Sequence, residues 1–169
     1  MLRALIVFCA VYLFVVSPLI VAWVFWRASA ADRRLLVLRG GAAMLLALLF
    51  AKGAGALYPE PRPFVVHHRI PLIPHAPDNG FPSDHTLLTF ACAFLVLPFS
   101  LAAGLAGIAV ATAVGLARVA SDVHTPLDFV ASMLFAALAN LLAGRLVGPR
   151  AGKTPRGLPV RVWFQQPDD

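Results

Sequence analysis

The stretches FPSDH at residues 81–85 and RVASDVHTPLD at residues 118–128 are short polar interruptions in an otherwise apolar chain. A third polar stretch, YPEPRP, occupies residues 58–63. Arginine, histidine and carboxylate side chains are costly at the ends of apolar helices unless they serve a function there. Because arginines and histidines recur in these stretches, the sequence predicts a site for an anionic ligand, with histidines that act on it.

The composition of the chain indicates an integral membrane protein. Of its 169 residues, 60% are hydrophobic and only 13% are charged, and the mean hydropathy is +0.81. Soluble domains carry about 25% charged residues. The net charge of +6 comes from arginine-rich ends and turns, which indicates membrane topology and argues against nucleic-acid binding. Cys9 and Cys92 lie in apolar segments, without the spacing of a disulfide framework or a zinc site.

Five apolar segments approach the length of about 20 residues that a membrane-spanning helix needs. They cover residues 4–26, 35–57, 84–100, 101–121 and 126–147. The first could be a cleaved signal peptide, but it is longer than the usual apolar core of about 7–15 residues, so we expect it to be retained. We therefore predict an all-α integral membrane bundle of about five transmembrane helices. Residues 1–148 would form this domain, and residues 149–169 a mostly disordered cytoplasmic tail.

The distribution of basic residues predicts the orientation of the bundle. Cytoplasmic loops of membrane proteins are enriched in Lys and Arg. Here the basic residues collect in the first loop and after the last helix: Arg27, Arg33, Arg34, Arg39, Arg145, Arg150, Lys153, Arg156 and Arg161. With five helices, the three polar stretches then lie together at the extracytoplasmic helix mouths.

The polar residues themselves suggest a phosphate site. Ser83 or Asp84 is expected to cap a helix whose free N–H groups favour an anion, although a plain helix cap would explain this pair equally well. Asp128 follows His124 by four residues, so on a helix it would hold one imidazole nitrogen and leave the other for a substrate. The alternative is that Arg118 and His124 merely contact lipid headgroups at the interface.

These stretches resemble the signature of the type 2 phosphatidic acid phosphatase superfamily. That signature is a Lys, six residues and Arg-Pro, then Pro-Ser-Gly-His, then Ser-Arg, five residues, His, three residues and Asp. The resemblance spans residues 52–128. More narrowly, PRPF at residues 61–64, the histidines at 67–68 and NGFPSDH at residues 79–85 are similar to the bacterial undecaprenyl-pyrophosphate phosphatases of the bacitracin-resistance type. Those proteins act on a lipid carrier at the outer face of the cytoplasmic membrane.

The resemblance implies a role for each matching residue. His124 would attack phosphorus and become a phosphohistidine, and Asp128 would orient it. His85 would protonate the leaving oxygen and then activate water. The equatorial oxygens of the phosphate would be bound by Arg62, Arg118 and Ser83. Fixed guanidinium and amide groups can stabilise such a transition state, so we expect no metal ion and no cofactor.

Three departures from the signature affect this assignment. Gly55 stands at the position of the signature Lys, and Lys52, one helical turn earlier, is the candidate replacement. Ala117 replaces the usual Ser and removes a hydroxyl donor. Asp84 replaces the usual Gly and brings a carboxylate near the phosphate; we expect it to face away as a helix cap or to tune His85.

The loop at residues 64–80 carries three histidines, but their spacing supports a metal site only weakly. We interpret the loop as an interfacial lid, in which Arg69 is the best candidate to contact a headgroup or a second phosphate. Glu60, just before this loop, is expected to be a solvated carboxylate.

Four functions remain open from the sequence. The leading prediction is a phosphatase in the bacterial cytoplasmic membrane that hydrolyses the terminal phosphate of a polyprenyl diphosphate such as undecaprenyl diphosphate and so recycles the carrier. The alternatives are a phosphatase for phosphatidic acid or phosphatidylglycerophosphate, a lipid phosphotransferase, and a non-catalytic lipid-binding or transport protein. The bilayer and a lipid diphosphate are the expected partners, and the sequence does not predict the oligomeric state.

Overall fold

The computed structural model describes residues 1–148, so the predicted tail at residues 149–169 lies outside the described residues. The described part is all-helical and without strands, which confirms the predicted fold class. Its helices are α1 Leu2–Val11, α2 Val16–Arg27, α3 Ala30–Leu57, α4 Pro63–Val66, α5 Asp84–Val96, α6 Leu101–Ala120 and α7 Pro126–Leu146. A 3₁₀ turn, Leu13–Val15, separates α1 from α2.

The membrane spans differ from the prediction at two of the five segments. Helices α3, α6 and α7 are long and apolar enough to cross a bilayer, and α1 with α2 forms a fourth candidate that is bent by 44°. Pro18 explains the break, because its ring nitrogen has no hydrogen to donate to the carbonyl of Phe14, four residues earlier. The third predicted segment, residues 84–100, contains only the 13-residue α5. At 1.5 Å per residue, α5 is shorter than the hydrocarbon core of about 30 Å.

The long helices place small side chains inside the bundle and large ones outside. In α3, Ala43, Ala47 and Ala51 recur every four residues and are buried, whereas Leu45 and Leu49 are exposed. Helix α7 repeats the pattern, with buried alanines and exposed leucines. Small residues at helix interfaces let helices pack closely in lipid, where burial of leucine brings no advantage over contact with acyl chains.

Helix α5 lies at the centre and packs against α2, α3, α6 and α7. Its closest partner is α6, because glycines of α6 face α5 and the turn that follows it. A Cβ atom on Gly107 would stand 3.0 Å from the Cβ atom of Ala93, and one on Gly104 would stand 2.6 Å from the Cα atom of Leu97. These glycines therefore set the short distance between α5 and α6.

Four helix ends meet at one end of the bundle. Helices α3 and α6 end there, at Leu57 and Ala120, and α5 and α7 begin there. The loop at residues 58–83 covers this end and is anchored to the α6–α7 turn: the N–H of Phe64 donates to the carbonyl of Asp122 and that of Leu72 to the carbonyl of Ser121. The three polar stretches of the sequence thereby come together.

Candidate active site

A cavity of about 420 Å³ opens where these four helix ends meet. Helix α3, the covering loop, α5, α6 and the α6–α7 turn all contribute to its wall. Its polar lining consists of Lys52, Arg62, His75, Asp78, Asn79, Asp84, His85, Arg118 and His124. Among the predicted site residues, Asp128, Ser83 and Arg69 do not line this cavity.

His124 and Asp128 form a buried pair at the start of α7. The Nδ1 atom of His124 lies 3.1 Å from the Oδ2 atom of Asp128, and the two side chains are 4% and 1% exposed. Asp128 Oδ2 also accepts the backbone N–H of Thr125, whose hydroxyl accepts the N–H of Asp128 in return. This capping box fixes Asp128, so the orientation of the His124 ring is set by the way the helix begins.

The other imidazole nitrogen of His124 faces two arginines. Its Nε2 atom lies 3.3 Å from Nη1 of Arg62 and 3.5 Å from Nη2 of Arg118. Because guanidinium groups only donate, Nε2 acts as the acceptor and the ring hydrogen is on Nδ1, towards Asp128. Burial, followed by the charges of Arg118 and Arg62, lowers the pKa of His124, while the hydrogen bond to Asp128 raises it. The result is a neutral imidazole whose Nε2 lone pair is suited to nucleophilic attack.

Arg62 is held on all sides and is 5% exposed. Its Nε donates to Asp78 Oδ1 at 2.7 Å, Nη1 donates to the carbonyl of Val123 at 2.9 Å, and Nη2 donates to the carbonyl of Asn79 at 3.3 Å. The hydrogen bond from Arg62 lowers the pKa of Asp78. The guanidinium therefore needs little reorganisation to meet an anion.

Arg118 is buried near the end of α6 and reaches across to α1. Its Nη1 donates to the carbonyl of Ala10 at 3.2 Å. Within the part of the chain that the structure describes, the buried Nε of Arg118 has no hydrogen-bond partner. A buried donor without a partner is costly, and an anionic oxygen in the cavity would satisfy it.

The start of α5 corrects one expectation about the FPSDH stretch. Ser83 occupies the N-cap position, but its side chain caps no backbone N–H; its hydroxyl instead accepts from Thr86 Oγ1 at 3.0 Å. Asp84 is the first residue of α5, is exposed and lines the cavity, so the expectation that it faces away as a cap is wrong, and the alternative that it tunes His85 stays a prediction. His85 also lines the cavity, with the ring of Phe14 packed edge-on at 4.9 Å between centroids. The role of Ser83 as a phosphate ligand stays a prediction.

The structure shows why residue 55 carries no side chain, and the replacement of the signature lysine by Lys52 stays a prediction. A Cβ atom on Gly55 would stand 2.9 Å from the carbonyl oxygen of Phe81, so the covering loop packs too closely for a side chain there. Lys52, one turn earlier on α3, lines the cavity instead. This close approach of Gly55 to Phe81 could not be read from the sequence.

The covering loop contributes residues other than the one expected. Arg69 is exposed and outside the cavity lining, so its contact with substrate stays a prediction. His75 does line the cavity, and its ring centroid lies 6.2 Å from that of His124. Burial and the charge of Arg62 lower the pKa of His75. No three His, Cys, Asp or Glu side chains of residues 1–148 are grouped as a metal site requires.

Glu60 also differs from its expected role. It was expected to be a solvated carboxylate, but its Oε2 atom is buried and lacks a partner among the described residues. The sequence offered one signal for this, since Glu60 lies between two prolines and only two residues before Arg62.

Comparisons with known proteins found a matching family profile and several similar proteins. Residues 36–150 match the family profile described as PAP2 superfamily. The chain is 35% identical over 144 residues to the Bacitracin transport permease protein BcrC of Bacillus licheniformis, covering 83% of this chain and 70% of that protein. It is 31% identical over 141 residues to the Undecaprenyl-diphosphatase BcrC of Bacillus subtilis (strain 168), covering 83% and 72%. No solved structure matches the chain.

Proposed function

The chain belongs to the PAP2 superfamily, and from this premise we propose that it is a membrane phosphatase that hydrolyses the terminal phosphate of undecaprenyl diphosphate or a closely similar polyprenyl diphosphate. One observation carries the proposal: the Nε2 atom of His124, a residue that lines the cavity, lies between Arg62 and Arg118, while Nδ1 is held by Asp128. A nucleophile and two fixed cations thus converge on one point, as phosphoryl transfer requires.

In the first step, the Nε2 lone pair of His124 attacks the terminal phosphorus, and the bond from that phosphorus to the bridging oxygen breaks. The two guanidinium groups beside Nε2 bind the equatorial oxygens as their charge develops. The negative charge of the bound diphosphate favours the protonated form of His85, which donates its proton to the bridging oxygen; that oxygen leaves as part of the polyprenyl monophosphate. His124, now a phosphohistidine, carries positive charge on its ring, which Asp128 stabilises.

In the second step, water hydrolyses the phosphohistidine. His85, deprotonated by the first step, takes a proton from the water as its oxygen attacks phosphorus. The bond between phosphorus and Nε2 breaks, inorganic phosphate leaves, and both histidines return to their starting protonation states. Every step is assigned to residues of the chain, and we propose that the reaction needs no metal ion.

The relatives support the choice of substrate and of reaction class. The Bacillus subtilis relative is named an undecaprenyl-diphosphatase, whereas the Bacillus licheniformis relative is named a transport permease. A transport protein needs an anion site but not the buried His124–Asp128 pair, so the pair favours hydrolysis. We place the enzyme in the bacterial cytoplasmic membrane with its site on the outer face, where it would recycle the lipid carrier for cell-envelope synthesis.

The proposal is tested by phosphate release from the purified full-length chain in detergent. Undecaprenyl diphosphate and phosphatidic acid are supplied in parallel, in the presence of EDTA. We expect release from the diphosphate to exceed release from phosphatidic acid and to be unaffected by EDTA. His124→Ala should lower the rate by a factor of at least about 1,000, because the nucleophile is lost.

His67→Ala is the matched control, since His67 is an exposed histidine of the covering loop that does not line the cavity. Its rate should equal that of the wild type.

The intermediate is tested with a diphosphate that is labelled in its terminal phosphate. When the reaction is stopped in alkali shortly after it starts, the label should be found on His124. A preference for phosphatidic acid would contradict the substrate, and release that survives His124→Ala would contradict the mechanism.

A further inference from the structure

Two buried carboxyl oxygens beside the nucleophile have no hydrogen-bond partner within residues 1–148. They are Oε2 of Glu60 and Oδ1 of Asp128. Each is an acceptor if its group is ionised, and buried acceptors in folded proteins are nearly always paired. Two such atoms in one site therefore call for a common explanation.

The two side chains are neighbours, and the backbone around Glu60 is fixed. The charge and the side chain of Asp128 both act on the pKa of Glu60, so the two carboxyl groups lie close to each other. The N–H of Glu60 donates to Asn79 Oδ1 at 2.9 Å, and its carbonyl accepts the N–H of Gly80 at 2.8 Å. Gly80 packs beside both residues, since a Cβ atom there would lie 3.4 Å from the backbone carbonyl oxygen of Glu60 and 3.7 Å from Asp128 Oδ2. The backbone of Glu60 is therefore held beside the site, and its Oε2 atom is buried there.

A single proton satisfies both oxygens. Two ionised carboxylates in contact repel each other, whereas a protonated carboxyl donates to its ionised neighbour. Asp128 already accepts hydrogen bonds from His124 and from the backbone of Thr125, so its carboxyl group acts as an acceptor in this site. Glu60 has no such cationic or ring donor, and burial, followed by the charge of Asp128, raises its pKa, while a hydrogen bond from the Thr125 side chain opposes the rise. The proton therefore belongs on Glu60.

We propose that Glu60 is a positioning residue that keeps its proton and donates it as a hydrogen bond to Asp128 Oδ1. This inference rests on the proposed function, because its consequence is for the nucleophile. With Glu60 protonated, the pair carries one negative charge, which holds the Nδ1 hydrogen of His124 in place. With both carboxylates ionised, the extra negative charge would favour protonation of His124 and remove the Nε2 lone pair.

The charged and titratable groups around this pair come from each neighbouring element. His124 and Thr125 belong to the α6–α7 turn, and Arg62 faces His124 from the loop side. Behind Arg62 lie Asp78 and His75. Arg62 is bonded to Asp78 and not to Glu60, so it does not stabilise an ionised Glu60 directly.

The test compares Glu60→Gln with Glu60→Ala in the full-length protein. The glutamine amide donates to Asp128 Oδ1 at every pH, so Glu60→Gln should keep kcat within about threefold of the wild type. Its rate should also persist to higher pH, because the wild type loses the donor when Glu60 ionises. Glu60→Ala should lower kcat by about 10–100-fold, as is typical when a partner behind an active residue is removed, with KM nearly unchanged. Equal impairment of both variants would overturn the proposal, because a required negative charge would then explain the loss.

A second measurement is independent of activity. The infrared spectrum of the wild type at neutral pH should contain the carbonyl stretch of a protonated carboxylic acid, and this band should be missing from Glu60→Gln. The band should also move on transfer to heavy water. An unchanged spectrum would show that Glu60 is ionised and defeat the proposal. An inactive wild type that keeps the band would defeat the proposed phosphatase function and leave the shared proton standing.

Discussion

The neighbours of His124, the proposed nucleophile, act on its pKa in opposite directions. Burial and the charges of Arg118 and Arg62 lower the pKa, and the hydrogen bond to Asp128 limits the fall. The ring is therefore neutral over a wider range of pH than a free histidine. Removing an arginine should therefore raise the pKa of His124, and removing Asp128 should lower it, so each change should shift the pH dependence of the reaction.

The first prediction concerns that pH dependence. Attack requires neutral His124, so on the acid side kcat/KM should fall as the pH drops through the lowered pKa of His124, with a midpoint below the ordinary value of 6.5. In Asp128→Asn the contribution that raises the pKa is gone, so the acid limb should move to still lower pH while kcat falls. Rates measured over a series of buffers test both statements. If the acid limb of the profile does not move in Asp128→Asn, it reports ionisation of the substrate and not of His124.

The second prediction concerns the two candidate cations outside the arginine pair. Lys52 lines the cavity and Arg69 does not, so Lys52→Ala should raise KM for the diphosphate about tenfold, the cost of one hydrogen bond to a charged group. Arg69→Ala should change KM by less than about twofold. Lys52→Arg, which keeps the charge, should recover most of the affinity. The reverse order of the two alanine variants would make the covering loop the main contact to substrate.

Residues near one another in the sequence were easier to predict than residues brought together by the loop. The four-residue spacing of His124 and Asp128 was sufficient, because a helix start brings such residues together. Glu60 and Asp78 could not be assigned in this way. Their positions depend on Asn79, whose side chain accepts the N–H groups of Glu60 and Phe81 and donates to the carbonyl of Gly55. Such long-range contacts leave no periodic pattern in the sequence.

Among the helices, α5 connects the candidate active site at one end of the bundle with the close helix packing at the other end. It begins at the cavity with Asp84 and His85, and it ends at the turn where Gly104 meets Leu97.

The long helices were predicted well, since apolar length is a strong signal. The break between α1 and α2 was missed because the apolar run continues through it, although Pro18 marks it.

The third prediction tests the contact between α6 and the turn that follows α5. In Gly104→Ala the new methyl group would overlap backbone and side-chain atoms of Leu97, so we expect a loss of about 1–3 kcal/mol of stability and a lower Tm. Gly41→Ala is the matched control, because no atom lies within 4 Å of a Cβ atom built there. Its Tm should be unchanged or slightly higher, since alanine is the better helix former. Thermal unfolding in detergent compares the two, and equal Tm values would refute close packing at Gly104.

For the whole molecule, the bundle has small residues inside and leucines outside, and its polar site lies at one end. Helix α3 is 28 residues long, and the arginines of the α2–α3 turn lie at the end of it that is opposite the cavity. The positive-inside rule predicts that this end faces the cytoplasm and that the cavity faces outward.

The fourth prediction tests this orientation in intact cells. With Cys9 and Cys92 replaced by Ser, Ile70→Cys in the covering loop should react with a membrane-impermeant maleimide, because Ile70 is 96% exposed. Arg34→Cys, near the start of α3, should react only after the cells are permeabilised. Labelling of Arg34→Cys alone in intact cells would invert the orientation and place the site inside.

Leu48 lines the cavity and is also 47% exposed on the outer face of α3, and the exposed Lys52 lies one turn beyond it on the same helix. The cavity wall is therefore continuous with the surface that contacts acyl chains. If the proposed polyprenyl diphosphate is the substrate, it would reach His124 by lateral diffusion within one leaflet, with its chain still among the lipids. The quantity that governs saturation is then the mole fraction of substrate in the membrane plane. Adding inert lipid or detergent at constant total substrate would slow the enzyme by surface dilution alone.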